Sequence, residues 1–532
     1  MPVWLRSLLF VVVSGCAVTI TVALLWRAPL EEIGEIPVPD PDIETVAQAV
    51  DAEFAASWGA QGLEPVALAD DLTVIRRLSL GLLGTIPSYE EIRLARQVPA
   101  ERRIDWFLER ALQDDRFSDY LAERLARAYV GTESGPFLVF RRRRFVDWLS
   151  DQVAANRPYD DLVRDLLSTT GTSTSLPASN FITRTVEEKT GPEEARLAAR
   201  LTRAFLGIRL DCVECHDDFL EGKWKQKDFH QLAAFFKEAD ITLTGVSDTA
   251  TEDYKVRMRG TAEAVVLSPA VPFGEAWVPA DGRLREKLAA WVTHPENTGF
   301  TRTAVNRVWA LLFGRPLLTP IDRIPLEGPL PPGLDRLARD FVEHGYDLRR
   351  LVRIIAATAV FRRASIGPVE EEAPDWTSFP VTRLRPEQVA RSIYQASSLS
   401  TIDAASHILL RVQRFGETGD FVKRYGDQGE NEFDPAGGTV PQRLLLMNGK
   451  LVRDHTKENL VMNASTRIGA LSRDDASAVD AAYLAVLTRT PSPTEAEHFT
   501  SGLRQTKNGE RARRMEDLYW SLFNATEFSW NH

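Results

Sequence analysis

Across most of this chain apolar residues recur at three- and four-residue intervals, and that spacing commits it to helices packed through one face each. "DDLTVIRRLSLGLLGTIP" and "ERRIDWFLERALQDDRFSDYLAERLARAYV" show it first. "RRFVDWLSDQVAANRPYDDLVRDLLS" continues it, with Pro158 dividing one helix from the next. The pattern resumes in "LREKLAAWVTHPENTGFTRTAVNRVWALLFG" and "LDRLARDFVEHGYDLRRLVRIIAATAVFRRAS", and again at the C-terminus. A chain of 532 residues with 44% hydrophobic residues can build several such cores. The sequence therefore predicts a mainly α, multi-helical protein.

Two stretches break the pattern. Residues 240 to 280 have β-type composition with frequent turn residues, which predicts a small strand-rich insert. Residues 28 to 45 are rich in proline and acids and read as a spacer too poor in large apolar side chains to pack. A Gly- and acid-rich loop is expected over roughly 415 to 440. The expected organisation is an anchor or signal over 1–27, a linker over 28–45, and a helical domain over 46–240. The β-rich insert follows over 241–280, and a second helical domain over 281–532.

From Ser7 to Trp26 run 20 uncharged, mostly apolar residues. As a helix rising about 1.5 Å per residue they would span about 30 Å, the thickness of one hydrocarbon core. Arg6 precedes the run and acidic residues follow soon after Arg27, which sets the N-terminus in the cytoplasm and exports the remainder. A competing reading takes Val13-Ser14-Gly15-Cys16 as a lipoprotein signal with lipid on Cys16. Either one tethers a large periplasmic region to the inner membrane. The net charge of −11 gives a polyanion no general attraction, so no nucleic-acid partner is expected. The run Arg141 to Arg144 reads as a solvated helix face paired with nearby acids.

Export changes the meaning of the cysteines, because outside the cytoplasm a close pair can be oxidised or can carry covalent haem. Only 3 cysteines exist, and two of them stand in "LDCVECHDDF" as Cys212 and Cys215, with His216 directly after. A helix from about Pro192 to Leu210, with Leu197, Leu201, Phe205 and Ile208 on its buried stripe, delivers the chain to them. C-x-x-C-H is a haem-attachment signature: two thiols form thioethers with the haem vinyl groups and the histidine binds iron. Haem c is the favoured cofactor. Zinc remains an alternative, with Cys212, Cys215, His216 and His230 as its four ligands. So does a disulfide or a pair of plain thiols.

His230 is the nearest further histidine, a possible distal or metal ligand, although it lies beside the apolar stripe of a helix that Asp228 can cap. Met258 and Met447 read as core-filling residues. On another helix Arg302, Asn306 and Trp309 share one face, with Arg307 beside them. That group reads as a buried network fastening two helices, with a ligand pocket as the sharper alternative. Phosphate-binding glycine loops and the zinc-protease and serine-hydrolase signatures are missing from the sequence.

Several stretches in order resemble a bacterial family of exported surface proteins. "RRLSLGLLGTIPSYEE", "NRPYDDLVRDLLS", "FLGIRLDCVECHDDF" and "WKQKDFHQLAAFF" are similar to a planctomycete-type cytochrome-associated domain of unknown function. "TRTAVNRVWALLFG", "PQRLLLMNGKLV", "LAVLTRTPSPTEAE" and "DLYWSLFNATEFSWNH" resemble the partner domain that usually follows it. The resemblance implies export and brings no established reaction. The family often has a second histidine where this chain has Asp218, and an aromatic residue where His230 stands. The expected function is electron transfer or redox chemistry in the cell envelope, with a redox partner protein. The opposing expectation is a non-enzymatic scaffold whose cysteine pair is a local staple or metal knuckle.

Overall fold

In the computed structural model the described residues are 33–133, 140–187, 191–217, 224–242, 244–250, 252–366, 376–403, 406, 408–427, 429, 433 and 439–532. The apolar run Ser7–Trp26 and Cys16 lie outside them, and among the described residues no helix is long and apolar enough to cross a membrane. The protein is mainly helical, 60% helix and 4% strand.

The chain enters its first helix earlier than the composition of 28–45 suggests. Asp40 caps α1 (Pro41–Gln61) by accepting from the Asp42 amide, with Pro41 pre-set for the first turn. Even Ile33 is tied down, its carbonyl accepting from Trp106 Nε1 at 2.7 Å. The next helices are α2 (Asp71–Leu78), α3 (Tyr89–Ala95), α4 (Arg103–Gln113), α5 (Asp115–Val130), α6 (Arg142–Ala154) and α7 (Tyr159–Ser168). A small ladder pairs β1 (Val186–Glu187) with β2 (Gly191–Pro192) before α8 (Glu194–Leu201) and α9 (Gln226–Ala233).

The expected insert contains two antiparallel ladders. β3 (Ala239–Thr242) pairs with β4 (Gly245–Asp248), and β5 (Lys255–Val256) with β6 (Val265–Val266). Helices resume with α10 (Leu284–Val292), α11 (Thr298–Phe313), α12 (Leu334–Glu343) and α13 (Leu348–Ala357). The helices α1 to α13 and the β3–β4 hairpin share one hydrophobic core, in which Trp309 of α11 is fully buried.

A second core forms from α14 (Pro386–Ala396), α15 (Ile408–Tyr425), α16 (Val440–Asn448), α17 (Lys450–Thr456) and α18 (Ala464–Leu471). It continues through α19 (Asp475–Leu487), α20 (Pro493–Leu503) and α21 (Asn508–Asn524), and receives Leu80 and Ile86 from the N-terminal half. β7 (Thr382–Arg383) and β8 (Trp530–Asn531) pair the two ends of this unit. The loop expected from about 415 is helical as far as Tyr425, because Phe421 and Tyr425 bury in this core and outweigh the glycines.

The two adjacent arginines of "RRLSLGLLGTIP" join the halves. Arg76 is wholly buried and donates to the Val486 and Phe528 carbonyls. Arg77 donates to Phe361, Arg363 and His532 carbonyls and lies 3.7 Å above the Phe379 ring. Burial pulls both guanidinium groups down, Arg76 to about 10 and Arg77 to about 9.

Candidate functional site: the cysteine–histidine turn

Leu197, Leu201 and Phe205 are buried as their spacing predicts, and Phe205 packs 5.0 Å from the Tyr129 ring. The helix stops short of Leu210. It ends in a π-helical turn, Thr202–Leu206, and Gly207 takes φ +61°. A Cβ at Gly207 would stand 2.6 Å from Thr303 Oγ1 and 2.8 Å from Ile324, so only glycine lets the chain turn there against α11.

Asp211–Glu214 then form a 3-10 turn, nailed to the core by buried Val213. The Cys215 thiol is exposed. The Cys212 side chain and Asp218 lie outside the described residues.

His216 is half-buried, with Nδ1 2.8 Å from the Asp217 carbonyl. A carbonyl only accepts, so Nδ1 carries the proton, and in the neutral ring Nε2 is the nitrogen with the lone pair. Metal-bound histidines are commonly held this way, their second nitrogen donating to a carbonyl. The Asp217 side chain accepts from the Gln226 amide at 2.9 Å, and that hydrogen bond holds its carboxyl below the usual range.

Beneath the turn the Glu214 carbonyl receives two donors, Gln226 Nε2 at 2.9 Å and His230 Nε2 at 3.0 Å. His230 is buried, and its Nδ1 lies 2.8 Å from the Tyr254 hydroxyl. With Nε2 protonated toward Glu214, Nδ1 accepts from Tyr254. Burial lowers the His230 pKa, with a smaller opposing pull from Glu214. Gln226 Oε1 also accepts from the Arg259 amide at 2.9 Å. The turn is therefore gripped by α9 from below and by the β insert through Tyr254 and Arg259. Asp228 sits in the first turn of α9 and accepts from the Lys225 amide, instead of capping from outside.

Of the motif's described side chains, the Cys215 thiol is exposed and the His216 Nδ1 lies against the Asp217 carbonyl, chemistry compatible with either a haem or a metal ligand. Zinc fits less well, since His230 could become the fourth ligand only by breaking its bond to Glu214 or to Tyr254. Elsewhere among the described residues Asp42, Asp340 and His344 stand close enough to hold a cation. Arg350 already fills that role, 2.5 Å from Asp42 and 2.8 Å from Asp340.

The polar residues of α11 do not converge on one point. Arg302 pairs with Asp335 at 2.7 Å and donates to the Leu326 carbonyl. Asn306 exchanges two hydrogen bonds with the Leu318 backbone. Trp309 stacks on Phe313 at 4.3 Å. Arg307 donates to the Ala204 carbonyl at 3.2 Å, so it steadies the end of the helix that leads into the cysteine turn. Met258 is half-buried one residue before Arg259, and Met447 is exposed on α16. Gln226 and Tyr254 escaped the sequence reading. A glutamine four residues before a histidine on one helix face was the only available signal.

These features define a helical class of protein with one cysteine–histidine turn set against a small strand insert. Residues 49–241 match the family model PSCyt2, a protein of unknown function (DUF1549), and residues 284–415 match PSD1, a protein of unknown function (DUF1553). The two matches fall along the chain in that order. No curated protein and no solved structure matches it. The second match begins at α10, so the partner domain contributes α10–α13 to the first core and starts the second.

Proposed function

We propose that this is an exported protein, tethered to the inner membrane by Ser7–Trp26, that binds one c-type haem and passes electrons in the cell envelope. Cys212 and Cys215 would form the thioethers, and His216 would hold the iron through Nε2. The haem would supply a one-electron couple, tuned by its axial ligand and its burial. The observation that carries this reading is the His216 ring, whose Nδ1 donates to the Asp217 carbonyl at 2.8 Å. Around it the chain's own work is positional. Val213 anchors the turn, Gln226 and His230 hold its Glu214 carbonyl, and the Asp217 hydrogen bonds fix the segment after the histidine.

The test is the full chain matured in cells that possess haem-attachment machinery. The expected result is a reduced α-band and haem that stays bound after denaturation, both lost in Cys212→Ser and Cys215→Ser. Protein made in that system with no bound haem would overturn the reading.

A second reading is an envelope scaffold with a Cys212–Cys215 disulfide as a local staple. The two-residue spacing of the cysteines supports it, since a close pair outside the cytoplasm can be oxidised. Mass spectrometry separates the two. The staple leaves the chain two hydrogens lighter, and thioethers leave it heavier by a haem.

A further inference from the structure

Between the two cores lies a small cavity of about 50 Å³, lined by Leu83, Thr85, Arg116 and Asp119 from the first half and Arg391, Tyr394, Gln395 and Ile402 from the second. Several of its polar groups are already engaged. Gln395 donates to Ser400 and accepts from the Ile402 amide, and Tyr394 donates to Glu417. Asp119, at the exposed rim, accepts from Ser150 at 2.8 Å.

Three groups remain. Arg116 is 8% exposed and clamped by Glu91 and Asp114, yet its Nη1 is buried without a partner. Thr85 is 6% exposed, and its Oγ1 is likewise buried and unpaired. Arg391 has its guanidinium 5.7 Å over the Tyr120 ring, and among the described residues no carboxylate pairs with it. Buried polar atoms usually find a partner, and these two belong to side chains that line one cavity.

What remains is a set of donors: two guanidinium groups and a hydroxyl, with the one carboxylate at the rim. Guanidinium forks match the paired oxygens of carboxylates and phosphates. Clefts at domain junctions, with a few convergent polar groups in a largely formed space, are common ligand sites. We propose that this seam binds a small oxyanion, a carboxylate or a phosphate, between Arg391, Arg116 and Thr85. The site is separate from the cysteine turn and does not depend on the haem reading.

The test is calorimetric titration of the detergent-solubilised full chain with acetate and with inorganic phosphate, ionic strength being held constant with chloride. Saturable binding of either one is expected, and its weakening about tenfold or more in Arg391→Gln. Thr85→Val, which keeps the shape and removes the hydroxyl, should weaken it by a smaller factor. It also serves as the decisive variant should Arg391→Gln not fold. Failure of the wild-type chain to bind either anion would overturn the proposal. So would binding that both variants leave unchanged, which would mark an adventitious ion only.

Discussion

The His230 imidazole gives its Nε2 proton to the Glu214 carbonyl at 3.0 Å, and so a residue on α9 fixes the backbone between the two cysteines. That carbonyl can only accept, so it sets the tautomer, and on the other side the Tyr254 hydroxyl donates to Nδ1 at 2.8 Å. Tyr254→Phe removes that donor and leaves a buried nitrogen unsatisfied, a loss of about 1–3 kcal/mol. The expected outcome is faster amide exchange across 211–217 with the helices of the second core unchanged, read by hydrogen-exchange mass spectrometry. Uniform exchange in wild type and variant would show that the insert does not hold the turn.

The insert is itself latched by one carboxylate. Asp248 lies 2.6 Å from Arg285 and 2.9 Å from Arg283, with the Arg285 side chain wholly buried. Arg285 also donates to the Leu167 carbonyl, so it ties α7 to α10 and the β3–β4 hairpin. Asp248→Ala strands that guanidinium without its counter-ion, which costs about 3–5 kcal/mol. A lowered denaturation midpoint is expected, together with early proteolysis within 239–248. An unchanged midpoint would mean that solvent compensates the arginine.

Gly207 gives a sharper local test. At φ +61° an alanine is strained, and its methyl group meets Thr303 and Ile324 of the α11 side. Gly207→Ala should lose about 1–3 kcal/mol. The turn 211–217 should shift with it, because the Gly207 carbonyl accepts from the Ile324 amide at 2.8 Å. Thermal melts and cysteine-labelling rates at exposed Cys215 measure the two effects. A melt and a labelling rate both equal to wild type would show that this turn tolerates a side chain.

Much of this was legible because helices announce themselves through their apolar faces. Leu197, Leu201 and Phe205 were assigned to the buried stripe from spacing alone, and they are buried. Pro158 separated α6 from α7 as proline should. The cysteine turn was visible as a motif, but its grip was not. Tyr254 reaches His230 across 24 residues of irregular chain, and no periodicity encodes such a contact. The role of Arg76 and Arg77 is hidden for another reason. Arginines on an amphipathic helix normally mark the solvent side, whereas here their partners are backbone carbonyls more than 280 residues away. The spacer reading over 28–45 failed where Asp40 and Pro41 start α1, a capping signal that outweighs poor apolar content.

The seam between the halves should also respond to acid. Glu387 on α14 is buried, with Oε1 2.8 Å from Arg124 Nη1 on α5. The contact is ionic rather than a directed hydrogen bond, since that oxygen has no N–H aligned on it. Burial alone would raise the carboxyl, but Arg124, Arg127 and Arg385 outweigh it and hold the group below its usual value. A depressed carboxyl stabilises the fold fully above the unfolded value, about 4.3. That contribution is lost as pH falls through the lower folded value. Glu387→Gln should therefore melt earlier than wild type at neutral pH, by about 1–3 kcal/mol, since Arg124, Arg127 and Arg385 all lose the charge of that buried carboxylate. The gap between the two proteins should narrow on acidification below about pH 4, because the wild-type carboxyl is then protonated as well. Calorimetric melts from pH 3 to pH 7, roughly the span over which carboxylates titrate, measure that gap. A gap that stays constant across the range would mean that Glu387 stabilises the seam by packing and not by its charge.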